Sequence, residues 1–211
     1  MLRTLVLLVT LIGTAALTGI AHAQEAATPE ASQTAAPAPL DDNAAAAYCI
    51  EQGGVVRERV AVLNPDSPQD QWVVLGASKQ FCEFTGGEGA DPDTWISISL
   101  DTLYAETPTL AALAYLTKPA LPEMTDGSNP SATYCLHLGG AYGLAGSPGG
   151  WVTDAPAPAT QVESYCVFGD GSMIDAWGLT YHTGDVIRGA DLAPILRYQS
   201  DTPPSVFPDQ P

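Results

Sequence analysis

The chain has 211 residues and carries 7 lysines and arginines against 24 aspartates and glutamates, a net charge of −17. Such an acidic surface repels phosphate backbones and anionic headgroups, which excludes nucleic acid as a partner. The acids are spread thinly rather than in runs, so they read as a solvated surface and not as a cation-binding face.

In chain order, Arg3 precedes an apolar run over residues 5–12, and small residues follow, ending in Ala21-His22-Ala23. This is the pattern of a signal peptide over residues 1–23, removed after Ala23. Gly13, Thr14, Thr18 and Gly19 dilute the stretch below what a membrane span of about 20 apolar residues requires. No cysteine near the cleavage point offers a lipid attachment site. The expected mature chain is periplasmic or secreted, bacterial, and not inserted in a membrane. Residues 24–42 are rich in Ala, Pro, Thr and Gln without apolar periodicity and read as a disordered linker. The Pro-rich tail, residues 199–211, reads the same way.

Between these ends the sequence repeats itself. "NAAAAYCIEQGG" at residues 43–54 returns as "NPSATYCLHLGG" at 129–140, and "FCEF" at 81–84 returns as "YCVF" at 165–168. Asp93-Thr94-Trp95 matches Asp175-Ala176-Trp177, and "LAAL" from Leu110 matches "LAPI" from Leu192. Four matches in one order indicate duplication. Two α+β domains are expected, residues 43–117 and 129–198, joined by a linker at 118–128.

Each copy reads as a helix, a small antiparallel sheet or hairpin, and further short helices. Asn43 and Asn129 are the expected N-caps, the second with Pro130 at the first helical position. Ala46, Cys49 and Ile50, like Ala132, Cys135 and Leu136, form one apolar stripe per helix. Gly53 and Gly139 end those helices in a left-handed turn, with Gly54 and Gly140 beside them. "VVRERVAVL" and "QWVVLGASKQFCEF" read as strands in the first copy; "YGLA", "GWVTD" and "QVESYCVF" are shorter strands in the second. Helical turns are expected near Asp93 and Asp175, and Thr109 and Asp191 cap a last short helix.

Four cysteines allow three pairings. Only Cys49–Cys82 with Cys135–Cys166 gives both copies the same staple, and export permits oxidation. Each bond closes a loop of about thirty residues, which stabilises by roughly 3–4 kcal/mol on the chain-entropy model.

The pattern Asn-Pro-Ala-x-x-Tyr-Cys-x-x-x-Gly-Gly, followed by Cys-x-Phe-x-Asp-Gly-Ser-x-x-x-x-Trp, resembles the bacterial domain of unknown function 333, whose members often carry a hemolysin label. The second copy follows it closely with "CVFGDGSMIDAW"; the first has "CEFTGGEGADPDTW", without the Asp-Gly-Ser turn. The resemblance covers most of residues 43–106 and 129–188. It implies a small exported module, and the family has no established biochemical role to carry across. The hemolysin label gains no support from a long amphipathic or alternating pore-forming stretch.

No residue set announces catalysis, a cofactor or a metal. His137 and His182 occur in one copy each, whereas Tyr48 and Tyr134, the glycines, the cysteines and Trp95 and Trp177 recur. The histidines therefore read as surface residues, and the tyrosines and tryptophans as core anchors. "AGSPG" around Ser147 lacks the first glycine of a nucleophile elbow and reads as a loop. Asp170-Gly171-Ser172 reads as a hairpin turn rather than a calcium loop. The expected function is a non-enzymatic exported binding or envelope-associated module, its partner an exported protein or envelope component. The alternative is a secreted inhibitor of a peptidase or lytic enzyme, using residues 146–160 as its blocking loop.

Overall fold

A computed structural model describes residues 42–65, 67–86, 94–144, 149–153 and 162–207. The leader, most of the first linker, Asp93, Ser147 and much of the 146–160 segment lie outside the described residues.

The repeated phrase builds the same helix twice, α1 (Asp42–Glu51) and α4 (Pro130–His137). Asn129 caps α4 as expected, its side-chain oxygen accepting from the N–H groups of Ser131 and Ala132. In α1 the backbone is already helical at Asp42, so Asn43 lies inside the first turn and is not the N-cap. Both helices end in one hydrogen-bond pattern. Gly53 and Gly54 donate to the carbonyls of Ile50 and Cys49, and Gly139 and Gly140 donate to those of Leu136 and Cys135. This is a Schellman turn, with the first glycine of each pair at φ +85° or +75°.

The second glycine answers to a different constraint. The predicted disulfides both form, Cys49–Cys82 and Cys135–Cys166. The chain leaving each helix runs directly over its own staple. A Cβ on Gly140 would lie 2.5 Å from the Cys166 sulfur and 3.0 Å from the Cys135 sulfur, and one on Gly54 would collide with Cys82 in the same way. The Tyr-Cys-x-x-x-Gly-Gly motif therefore combines a helix end with clearance for a disulfide.

The strands are β1 (Val55–Leu63), β2 (Val73–Thr85), β3 (Trp95–Ser99), β4 (Ala141–Tyr142), β5 (Gly149–Thr153), β6 (Tyr165–Val167) and β7 (Met173–Asp175). They form one antiparallel sheet in the order β4-β6-β7-β3-β2-β1-β5. The register is the same in each half. Val56 pairs with Cys82 and Cys82 with Ile98, while Tyr142 pairs with Cys166 and Cys166 with Ile174. The equivalent residues Ile98 and Ile174 then pair with each other. An antiparallel pairing of equivalent residues relates the copies by an approximate local two-fold. The curl ends in closure: Trp151, in β5, exchanges both backbone hydrogen bonds with Glu163, just before β6. The seven-stranded sheet is thus curled back on itself, which leaves fewer open edges than a flat one.

The remaining helices are α2 (Leu100–Tyr104), α3 (Leu110–Thr117) and α5 (Ala176–Thr183). Thr109 caps α3, accepting from Ala112. The helix α3 of copy one packs on copy two. The N–H groups of Leu110 and Ala111 donate to Asp170 and Ser172 in the turn before β7, and Tyr115 stacks on His182 of α5. The closing segment of copy two, in turn, packs on copy one. Gly189 donates to Thr94, the register equivalent of Asp170, and Arg197 N–H donates to the Leu103 carbonyl. The two repeated tyrosines each hold the other copy's segment: Tyr48 donates to the Ile195 carbonyl, and Tyr134 to that of Pro119.

The α+β class and both staples are as expected, but separate domains are not what forms. One sheet runs through both halves, and one apolar core holds Cys49, Phe84, Ile98 and Leu103 together with Tyr134, Phe168, Ile174 and Leu192. The exchange of closing segments accounts for this, since neither copy covers its own outer sheet face alone. Two further expectations are corrected. Asp191 caps a turn rather than an α-helix, accepting from Ala193. The tail is not free up to Phe207, which packs beside Phe168 at a ring distance of 6.1 Å.

The two glycines of a pair should respond differently to alanine. Gly140→Ala must push a Cβ into the staple and should cost about 2–4 kcal/mol, as other core overpacking does. Gly139→Ala meets no atom within 4 Å and should cost only about 1–2 kcal/mol of left-handed strain. Urea unfolding of the oxidised proteins measures both; equal losses would refute the clearance argument.

Candidate functional site

The matched tryptophans are not core anchors and are not equivalent to each other. The register makes Ile98 the equivalent of Ile174, so the equivalent of Trp95 is Gly171 and that of Trp177 is Asp101. Trp95 opens β3, so no helical turn starts beside it, whereas Trp177 lies in the first turn of α5. Both are half-buried, and both face one end of the curled sheet.

Local structure builds that end in three steps. Asp175, last in β7, folds its carboxylate onto the first turn of α5 and accepts from the N–H groups of Trp177 and Gly178 at 3.0 and 3.1 Å. This capping orients α5 so that Trp177 and Tyr181, one turn apart, lie together with ring centroids 5.8 Å apart. The chain then doubles back through Val186, Ile187 and Arg188 to meet β3. At Gly189 (φ +65°) it passes so close to the first copy that a Cβ would lie 2.6 Å from the Ile96 nitrogen. That approach holds the Arg188 guanidinium 5.9 Å from the Trp95 ring centre and 5.3 Å from that of Tyr181.

A cleft of about 560 Å³ results, lined by Thr94, Trp177, Tyr181, Val186, Ile187 and Arg188. Tyr181, Val186 and Ile187 are 42, 50 and 42% exposed, a local concentration of apolar surface. Arg57, Arg59, Lys79, Lys118 and Arg197 each sit in an ion pair. Among the described lysines and arginines, Arg188 alone does not.

Behind the cleft the inner sheet face is polar in part. Arg59, 3% exposed, pairs with Glu83 at 2.7 Å, and Trp95 donates its indole N–H to Glu163 at 3.2 Å. Burial raises the Glu163 carboxyl above its ordinary range, against the pull of Arg59. Burial, reinforced by the negative charge of Glu163, raises Asp175 to about 7. Beside these groups Phe81 stacks on Tyr165, its register equivalent, at 4.1 Å, and the Tyr165 hydroxyl bonds Ser97.

The other expected residues lie elsewhere. The cysteines and the paired glycines hold the helix ends, and Tyr48 and Tyr134 hold the exchanged segments. His137 closes α4. His182 is not on the surface: it is 5% exposed, with its ring parallel to that of Tyr115 at 3.6 Å. Burial, with Lys118 nearby, lowers its pKa to about 4, so the imidazole is neutral at neutral pH. Asp170-Gly171-Ser172 forms the expected turn, closed by Gly171 donating to Phe168. Residues 149–153, from the middle of the expected blocking loop, are strand β5 in the sheet wall. Among the described residues no group of three His, Cys, Asp or Glu is placed to hold a metal ion. Sequence reasoning missed Tyr181, Arg188 and Glu163; the one available signal was the aromatic pair Trp177 and Tyr181 at helical spacing.

Asp175 and His182 sit at opposite ends of α5 and should oppose each other in pH dependence. Between about pH 4 and its unfolded value of 6.5, only the unfolded chain protonates His182, so that contribution to stability is lost as pH falls. Between 3.8 and about 7 only the folded chain protonates Asp175, so its contribution is lost as pH rises. His182→Phe should therefore gain on wild type as pH drops from 6.5 toward about 4.5, and Asp175→Asn, which keeps one cap acceptor, should lose. Each difference should change by about 1 kcal/mol per pH unit. Urea midpoints measure it, and three parallel curves would contradict the assignment.

No protein-family model matches the chain, and neither a curated protein nor a solved structure does.

Proposed function

We propose that the chain is an exported, non-enzymatic binding module of the hemolysin-labelled type that its repeated motif resembles, and that the aromatic cleft at Arg188 is its binding site. One observation carries this reading. In a strongly acidic protein, the described cation without an ion pair is held over two aromatic rings in a cleft with exposed apolar walls. A half-buried guanidinium beside aromatic rings is the kind of group that anchors a partner. Export is supported by the leader pattern and by the two disulfides, which persist in oxidising compartments. Among the described residues no helix is long and apolar enough to cross a membrane, consistent with a partner met outside the bilayer. The partner class is an exported protein or envelope component.

The inhibitor reading needs an exposed rigid loop, and the strand at residues 149–153 removes the middle of its candidate.

Crosslinking in the native periplasm, followed by pulldown, tests the site. Wild type and Lys79→Gln, a charge change outside the cleft, should capture the same partner. Arg188→Gln and Tyr181→Ala, with far-UV spectra and disulfides intact, should lose at least about tenfold of it. Undiminished capture by both cleft variants would refute the site.

A further inference from the structure

We infer that the cleft takes the C-terminal carboxylate of an extended polypeptide whose last side chain is apolar; this rests on the binding-module reading above and names the ligand class for that site. The Arg188 guanidinium offers a planar fork of donors that matches a carboxylate, and among the described residues no carboxylate occupies it in an ion pair. The rings of Trp95 and Tyr181 flank that fork at 5.9 and 5.3 Å.

Charge narrows the ligand further. Glu163 and Asp175 both feel Arg188, and the whole protein carries a net charge of −17. A doubly charged phosphate or sulfate would bring more charge than the single guanidinium balances. A monoanion meets one cation with one charge. Next to that cation stand Val186 and Ile187, half-exposed, with Trp177 and Tyr181 across from them. An apolar side chain adjoining the carboxylate would cover this surface, and that adjacency is what the end of a polypeptide supplies. The cleft is open, and its volume of about 560 Å³ exceeds what a single side chain fills. A short run of residues thus suits it better than a small free acid.

Isothermal titration of the mature oxidised protein tests this with N-acetylated tetrapeptides ending in valine, leucine or phenylalanine, each as free acid and as amide. At least one free acid should bind saturably, and its amide should bind at least tenfold more weakly. Arg188→Gln should abolish the acid–amide difference, and Lys79→Gln should preserve it. N-acetyl-leucine and decanoate represent the small-acid source and should bind at least tenfold more weakly than the best peptide. Equal binding of acid and amide would overturn the proposal, as would small acids binding as tightly as the peptides, or no saturable peptide binding up to millimolar concentration. Should partner capture still depend on Arg188 while no peptide acid binds, the cleft would stand as the site and this ligand class alone would fall.

Discussion

The pairing of Ile98 with Ile174 organises the rest of the molecule. It joins β3 to β7, turns two short sheets into one, and sets the duplicated halves about a local two-fold. Each half then covers the other: α3 lies on the second copy, and residues 189–197 lie on the first. The physical reason is coverage. A small sheet with two short helices leaves apolar residues such as Leu103 and Leu179 open to water, and the exchanged segments bury them in a common core. Small domains of this size are marginal alone, even with a disulfide each. Sharing one core roughly doubles the chain length over which burial is cooperative.

The sequence made the staples and the helix ends legible because they are local. Asn129, Pro130, Cys135 and the Gly139-Gly140 pair act within one turn or one strand, so spacing alone carries their meaning. The α+β class followed from the same local signals. The tryptophans mislead because equality of residue type is not equality of position. Loops of different length precede β3 and β7, and only the ladder register shows that Trp95 answers to Gly171. Reciprocal exchange was not legible either. "LAAL" and "LAPI" are recognisable as a repeat, but which copy each one covers depends on pairings sixty or more residues apart. His182 lacks a counterpart in the other copy, and its burial comes from Tyr115, a residue of the exchanged helix.

The candidate site is a product of that exchange and belongs to neither copy. Thr94 and Trp95 come from the first half; Trp177, Tyr181, Val186, Ile187 and Arg188 come from the second. Gly189 brings them together, since any side chain there would strike the backbone of β3. A single repeat could not assemble the cleft. The aromatic–arginine cluster has no counterpart at the symmetry-related position, where Gly171 and Asp101 stand in place of the tryptophans. One site per duplicated chain is therefore what the asymmetry of the sequence builds on a nearly symmetric frame.

Native-state amide exchange on the oxidised protein and on a Cys135→Ala/Cys166→Ala variant tests most directly whether the halves form one cooperative body. Loss of the second staple should lower the opening free energy of core amides in both halves, Phe81 and Cys82 as much as Tyr165 and Ile174, by a common amount of about 3–4 kcal/mol. Core amides of the first half that keep their wild-type protection while those of the second half lose it would contradict a shared core.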